Sequence, residues 1–184
     1  MNSVTVFCGA APGRDRTHLH TAALLGREIA EAGLRLVYGG ASIGLMGAVA
    51  DAALEAGGSV VGVIPESFPR EIAHQGLTEL HFVPNMHRRK ALMGELGDAF
   101  VTLPGGLGTA EELFEVLTWA QIRLHSKPCL LLNHGGYYDP LLTYLSHAAQ
   151  EGFADAADIE RLVVCHDPAE VLRHLTALRQ PAAR

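Results

Sequence analysis

The 184-residue chain has no long apolar run and no long run of basic residues, and each absence excludes a class of protein. A transmembrane helix needs roughly 20 consecutive apolar residues, and no stretch of the sequence approaches that length. The formal net charge is -6, which makes nucleic acid or an anionic membrane surface a poor partner. We therefore expect neither partner, and any anionic ligand must be held by local geometry.

Cysteine is scarce and shows no metal-binding or redox spacing. The three cysteines, Cys8, Cys129 and Cys165, lie beside apolar runs, which is typical of reduced, buried thiols in a cytoplasmic protein. The chain enters a strand-like segment within a few residues of Met1, so no signal peptide is expected. Cys8 ends that strand and is a candidate nucleophile, but a buried structural thiol is the favoured interpretation.

Nucleotide-binding and metal-binding signatures are also missing. The Gly-rich segments contain neither the G-x-G-x-x-G of dinucleotide sites nor the lysine of a Walker A loop. The ten histidines are scattered, and His18 and His20 lie on different sides of a predicted helix without an acidic partner. We predict no metal site, and dinucleotides and triphosphates are disfavoured as ligands.

What the sequence does contain is a regular alternation of short apolar segments and longer amphipathic ones. This pattern predicts a three-layer α/β/α fold with a mainly parallel sheet of about seven strands. The predicted strands are 3–8, 34–38, 59–64, 79–83, 99–103, 128–132 and 161–165. The predicted helices are 17–32, 43–56, 86–96, one from the 104–109 loop to about 124, 138–150 and 168–179, with a short helix within 65–77. We expect one domain over 1–179 and a frayed tail over 180–184.

The loops that follow strands are the candidate sites, because ligands of such sheets bind beyond the carboxyl ends of the strands. The strongest signal is the 104–109 loop, in which Gly105, Gly106 and Gly108 allow close backbone approach and expose N–H groups. The loop opens a helix, whose N-terminus favours an anion, and Thr109 adds a hydroxyl donor. The loop is therefore predicted to bind a phosphate group.

Glu112 follows this loop and has two interpretations that the residues alone leave open. Thr109 and Glu112 fit the T-x-x-E pattern of a capping box, in which both side chains only stabilise the helix start. The same carboxylate could instead be catalytic, and the dipole of a first helical turn would keep it ionised at neutral pH.

A second group of candidates follows the fourth predicted strand. One helix face carries, at helical spacings, Met86, Arg89, Lys90 and Met93. Arg88 points away from the centre of that face. Two cations between methionines are unusual for pure core. Without further context, cations that snorkel from a partly exposed helix are the slightly favoured interpretation.

Two motifs together give the chain a specific resemblance. The segment from Pro104 to Glu112 reads PGGLGTAEE and matches PGGxGTxxE, and the segment from Met86 to Lys90 reads MHRRK and matches MHxRK. At this spacing the pair resembles the LOG ("Lonely Guy") family of cytokinin-activating phosphoribohydrolases, and the likeness extends over nearly the whole chain. The resemblance implies a Rossmann-like homodimer, without a cofactor, that cleaves N6-modified adenosine 5′-monophosphates to free base and ribose 5-phosphate.

The resemblance also implies roles for individual residues. The catalytic residues it implies are Arg89 and Glu112. For substrate binding it implies Gly9, Gly44, Met46, Met86, Lys90, Gly105, Gly106, Gly108 and Thr109. Two positions depart from the family pattern, because Ala10 and Ala11 replace the usual serines of the first loop and Arg88 replaces a usual glutamate. The first change removes two hydroxyls where the nucleotide should pass.

Other functions stay open on the residues alone. Proteins with these motifs have also been called lysine decarboxylases, but the only lysines are Lys90 and Lys127, and Lys127 begins a strand at the wrong end of the sheet for a cofactor. The alternatives are a general nucleotide nucleosidase acting on AMP or GMP, a non-catalytic nucleotide carrier and an interaction module. The pairing of Arg89 with Glu112 argues against a carrier, because a phosphate binder needs no carboxylate beside its anion.

Overall fold

The structure, a computed structural model, describes residues 1–179 and contains one seven-stranded sheet. The strands are β1 Ser3–Phe7, β2 Arg35–Tyr38, β3 Val60–Pro65, β4 Glu79–Val83, β5 Ala99–Thr102, β6 Cys129–Leu132 and β7 Leu162–Cys165. All neighbouring strands pair in parallel, in the order β4-β3-β2-β1-β5-β6-β7. Every predicted strand is confirmed to within one residue at each end.

Within the described residues, α-helices connect the strands, except that a 3₁₀ turn joins β3 to β4. They are α1 Thr17–Glu31, α2 Gly44–Glu55, α3 Met86–Leu96, α4 Leu107–Gln121, α5 Asp139–Gln150, α6 Ala156–Ile159 and α7 Pro168–Arg179. The short α6 was not predicted from the sequence, and the short helix predicted within 65–77 is a 3₁₀ turn at Arg70–Ile72. The three-layer, parallel α/β/α fold class is confirmed.

Both faces of the sheet are buried under helices. On one face the strands pack against α1, α2 and α7, with Leu25 and Val171 fully buried. On the other face α3, α4 and α5 cover the strands, with Met93 and Leu113 in the core. This coverage explains why most of the strands read as apolar runs, whereas the edge strand β4 carries the exposed residues Glu79 and Phe82.

The direction of strand addition reverses at β1. Val4 pairs with Leu36 of β2 on one side and with Ala99 of β5 on the other. The chain therefore adds β2 to β4 outward in one direction, crosses back, and adds β5 to β7 in the other direction. A crevice at the carboxyl edge of the sheet follows between the loops after β1 and β5, which is where such folds bind ligands.

No helix within residues 1–179 is long and apolar enough to cross a membrane. The predicted frayed tail, 180–184, lies outside the described residues.

Candidate active site

A cleft of about 820 Å³ opens at the crevice between the loops after β1 and β5. It is lined by residues from the loops after β1, β2, β3, β5 and β6 and from the first two or three turns of α1 to α4. Of the predicted site residues, those that line it are Gly9, Met46, Met86, Arg89, Gly105, Gly106, Gly108, Thr109 and Glu112. Gly44 and Lys90, which the resemblance also implied, do not line it. The paired motifs therefore meet in one place.

The glycine loop after β5 leads directly into α4. Gly106 is the N-cap, with φ of -94° and ψ of -151°, and no side chain caps the helix. The first helical residue is Leu107, so Thr109 is the third, and its backbone N–H belongs to the set that an α-helix leaves free. Thr109 is buried, whereas Gly106 and Gly108 are exposed to the cleft. This arrangement of free N–H groups at a helix N-terminus is suited to a phosphate.

The capping-box interpretation of Thr109 and Glu112 is wrong. It required Thr109 to precede the helix, but α4 begins two residues earlier, at Leu107. Glu112 consequently lies in the second turn, where its carboxylate cannot reach the backbone of the N-cap residue. Its side chain turns into the cleft instead, with 7% of the residue exposed.

Arg89 is held by acceptors from three separate segments. Its Nε donates to the carbonyl of Val63 at 3.0 Å, Nη2 donates to the carbonyl of Gly39 at 3.2 Å, and Nη1 donates to Oε1 of Glu112 at 3.2 Å. A Cβ at Gly39 would collide with this guanidinium. The snorkelling interpretation is wrong for Arg89, which is 8% exposed. The sheet edge and α4 together fix its orientation.

The local start of α3 explains how Arg89 reaches this position. Asn85 precedes the helix as its N-cap, and its Oδ1 accepts a hydrogen bond from the backbone N–H of Arg88 at 2.9 Å. With the helix beginning at Met86, the next positions of the inner face are Arg89 and Met93. Arg88 points outward and pairs with Glu95 at 2.9 Å, as the spacing predicted.

The Glu112 carboxyl lies in an environment that favours its protonated form. Burial raises the pKa of Glu112 from 4.5 to about 7, although the adjacent Arg89 guanidinium acts to lower it. The prediction that the dipole of a first helical turn keeps this group ionised does not hold, because Glu112 lies in the second turn and its desolvation outweighs the favourable charges. A carboxyl that titrates near neutrality can exchange a proton during turnover.

Lys90 does not line the cleft and contacts α4 beside it. Its Nζ donates to Oε1 of Glu111 and, at 2.9 Å, to Oε1 of Glu115. Burial alone would lower the pKa of Lys90, but these two carboxylates outweigh it and raise the pKa. Lys90 is 8% exposed, so the snorkelling interpretation is wrong here too. Its contacts join α3 to α4 one residue away from the Arg89–Glu112 pair.

The first two loops close the floor of the cleft. The backbone of Gly9 donates to the carbonyl of Pro104 at 3.1 Å and accepts from the N–H of Leu45 at 3.0 Å, which ties the loops after β1, β2 and β5 together. Gly44 has φ of +59°, and a Cβ there would collide with the backbone of Ala10. Gly44 is thus required for loop packing. Cys8 lines the floor as a thiol whose pKa burial raises, so it is a poor nucleophile.

Some residues that line the cleft were not predicted from the sequence as site residues. They include Tyr137, His18, Phe68 and Gly39. Tyr137 lies in the loop after β6, and its position beyond the carboxyl end of a strand was the available signal. Phe68 lacks such a signal, because it lies in the irregular 65–77 segment, and His18, on the predicted helix 17–32, was considered only as a metal ligand.

A protein-family model described as "Possible lysine decarboxylase" matches residues 46–175. A cytokinin riboside 5′-monophosphate phosphoribohydrolase of Rhodococcoides fascians is 60% identical over 181 residues, which cover 97% of this chain and 90% of that protein. The enzyme of the same name, LOG, from Oryza sativa subsp. japonica is 49% identical over 162 residues, which cover 88% of this chain and 66% of that protein.

Among solved structures, a molybdenum cofactor carrier protein from Chlamydomonas reinhardtii superposes with a TM-score of 0.74 and 25% sequence identity, over 97% of this chain and 98% of that one. It shares the fold, whereas the two phosphoribohydrolases are far closer in sequence. Since both motifs meet in the cleft and the matched relatives span most of the chain, this protein belongs to the LOG family, the family of cytokinin riboside 5′-monophosphate phosphoribohydrolases.

Proposed function

We propose that this protein hydrolyses the N-glycosidic bond of N6-modified adenosine 5′-monophosphates, releasing the free base and ribose 5-phosphate. The observation that carries the proposal is the buried pair of Arg89 and Glu112 in the same cleft as the donor-rich start of α4. The names of the two phosphoribohydrolase relatives support the reaction class. In this proposal the phosphate lies on Gly105–Thr109, and the base lies toward Met46 and Met86.

The reaction needs a group that stabilises positive charge on the sugar. Breaking the bond from C1′ to N9 gives the ribose oxocarbenium character, as in glycoside hydrolysis. The ionised Glu112 stabilises that charge and accepts a proton from the attacking water, which adds to C1′ as N9 departs, and the same proton then passes to the released base. Arg89 cannot act as a general acid at neutral pH, because a guanidinium keeps its protons in proteins. Its contact with Oε1 of Glu112 instead orients the carboxylate.

Lysine decarboxylation, the activity in the description of the family model, has no support in the cleft. A pyridoxal-phosphate enzyme needs a lysine for its Schiff base, and the sequence has only Lys90 and Lys127. Lys90 is engaged by two carboxylates outside the cleft. Lys127 donates to the carbonyls of Gly94 and Gly97 at 2.6 and 2.7 Å, at the amino end of the sheet.

A hydrolysis assay that compares N6-isopentenyl-AMP with AMP tests the proposal, with the released base quantified by chromatography and no metal added. We expect base from the isopentenyl substrate, and Glu112→Gln lowers kcat by on the order of 10²- to 10⁴-fold. Tyr144→Phe, an exposed position on α5, is the matched control and keeps full activity.

Two results would redirect the assignment. A preference for AMP would move it to a general nucleotide nucleosidase. Tight AMP binding with no base released from either nucleotide would favour a carrier, the role named for the structural neighbour from Chlamydomonas reinhardtii.

A further inference from the structure

Three successive carbonyl groups of the glycine loop are each engaged by a donor from outside the loop. The carbonyl of Leu103 accepts from Oη of Tyr138 at 2.7 Å, and the carbonyl of Pro104 accepts from the N–H of Gly9 at 3.1 Å. The carbonyl of Gly105 accepts from Oη of Tyr137 at 2.6 Å. Since a carbonyl oxygen repels an anion, the bond from Tyr137 matters most for a phosphate, because the Gly105 carbonyl belongs to the peptide that begins the run of N–H groups at the start of α4.

The N–H groups of the same loop are arranged in the opposite way. Within residues 1–179, the backbone N–H groups from Gly105 to Thr109 have no protein acceptor, and the next one, of Ala110, donates to the carbonyl of Gly106 at 3.0 Å. A planar trans peptide points its C=O and its N–H in opposite directions. The tyrosine that holds the carbonyl of Gly105 therefore also fixes the direction of the N–H of Gly106.

The peptide whose carbonyl Tyr137 holds joins two glycines. Gly105 and Gly106 both lack a Cβ, so rotation of the plane between them meets little steric resistance. After such a flip, the Gly105 carbonyl would point where the Gly106 N–H had pointed, toward the anion. The hydroxyl of Tyr137 is the side-chain group that bonds this carbonyl in the described structure.

Tyr137 is itself held firmly enough to act on the loop. The side chain of Asn133 accepts from the backbone N–H of Tyr138 at 2.7 Å and donates to Oδ1 of Asp139 at 2.7 Å. The Tyr137 ring also meets the ring of His18 edge-on, with 5.6 Å between centroids. The hydroxyl thus reaches the loop from a segment that is anchored beyond β6.

We propose that Tyr137 is a positioning residue that locks the Gly105–Gly106 peptide with its N–H toward the substrate phosphate and its carbonyl away from it. The role rests on the phosphate location in the proposed function. It adds a specific contribution to phosphate affinity from a residue outside the two sequence motifs.

Tyr137→Phe tests this role, because it removes the hydroxyl and keeps the ring. By calorimetry we expect the Kd for ribose 5-phosphate to rise about fivefold to tenfold, the effect of losing one hydrogen bond of about 1 kcal/mol. For N6-isopentenyl-AMP, KM rises by a similar factor with little change in kcat. The Ki of the phosphate-free riboside, N6-isopentenyladenosine, stays the same.

Tyr138→Phe is the matched control. It removes a similar hydroxyl bond, but to the carbonyl of Leu103, and the following residue is Pro104, which has no N–H to misdirect. We expect Tyr138→Phe to lower Tm and to leave ribose 5-phosphate affinity unchanged.

The proposal is overturned if both variants weaken ribose 5-phosphate binding equally, if Tyr137→Phe weakens the riboside as much as the phosphate, or if the wild-type protein binds no ribose 5-phosphate. Calorimetry needs no turnover, so the two proposals fail separately. Suppose that the protein hydrolyses no nucleotide but binds ribose 5-phosphate, and that Tyr137→Phe weakens this binding. That result would support the role of Tyr137 and contradict the proposed function.

Discussion

Arg89 shows how much of the proposed activity depends on the shape of one side chain. Its planar guanidinium donates to Val63, Gly39 and Glu112 at once, a geometry that an ammonium group cannot reproduce. We therefore expect Arg89→Lys to lower kcat by about 10- to 100-fold, since a misoriented carboxylate loses its alignment with the sugar. Steady-state kinetics measure this effect.

Arg88→Lys serves as the control for that experiment, because the neighbouring side chain is exposed and pairs only with Glu95. Unchanged turnover in both variants would contradict the orienting role of Arg89.

The Glu112 carboxyl sets the expected pH dependence. Burial raises its pKa to about 7, and the proposed mechanism uses the ionised form. The active fraction therefore grows as pH rises through the pKa, and kcat/KM increases about tenfold from about pH 6 to about pH 8 before it levels off. A pH profile of kcat/KM measures this. A profile that falls over the same range would mean that the protonated carboxyl is the active form.

The sequence was sufficient to predict Arg89 and Glu112 as site residues, because both lie in the two motifs whose spacing gives the family resemblance. The environment of Glu112 was not. A reading of T-x-x-E as a cap depended on where α4 begins, and a loop with three glycines leaves that start undetermined by two residues. The burial of Glu112, and the raised pKa that follows from it, depend on the fold and could not be predicted from the sequence.

At the scale of elements, α3 and α4 are joined by three adjacent ion pairs. Arg89 meets Glu112 within the cleft, and Lys90 meets Glu111 and Glu115 beside it. Lys90→Met leaves Glu111 and Glu115 without their cation, and their negative charge then raises the pKa of Glu112 further. We expect the acid limb of the pH profile to move to higher pH.

Thermal or urea unfolding gives a second readout of Lys90→Met. We expect a loss of about 1–3 kcal/mol, in the range of hydrogen bonds to charged groups. Lys90→Arg, which keeps the charge, should restore the position of the acid limb. The substrate phosphate also titrates near pH 6, but it does so equally for every variant. An acid limb at the same pH in wild type and Lys90→Met would therefore contradict the effect of Lys90 on the pKa of Glu112.

The elements themselves were largely predictable, for a physical reason. Strands buried on both faces must be apolar throughout, and helices with one buried face repeat every three or four residues, so both patterns are explicit in the sequence. The four-residue α6 is too short to show a period. Lys90 was assigned to substrate binding by the motif alone, and only the packing of α3 on α4 reveals its carboxylate partners.

At the scale of the whole molecule, the order of the strands was the part that the sequence left open. Alternation predicts parallel pairing, but the crossing from β4 back to β5 beside β1 is a long-range choice that places the two motifs together. The contribution of Tyr137 follows from that choice too, because β6 lies next to β5.

The family resemblance implies a homodimer, and we expect exposed apolar residues that follow α4 to form its interface. Ile122 and Leu124 are 59% and 68% exposed at the end of α4, beyond the half-buried Trp119. Light scattering on the full chain should give twice the 19.6 kDa of one chain, and Leu124→Glu should shift the mass toward the monomer. A mass of 19.6 kDa for the wild type across the micromolar range would contradict this prediction.

The phosphate site is tested by the ratio of kcat/KM for N6-isopentenyl-AMP to that for N6-isopentenyladenosine, two substrates that differ only by the 5′-phosphate. If the free N–H groups from Gly105 to Thr109 hold the phosphate and so place C1′ against Glu112, the nucleotide is preferred on the order of 10³-fold. Equal efficiencies for the two substrates would contradict the phosphate site, and with it the assignment of the cleft as that of a phosphoribohydrolase.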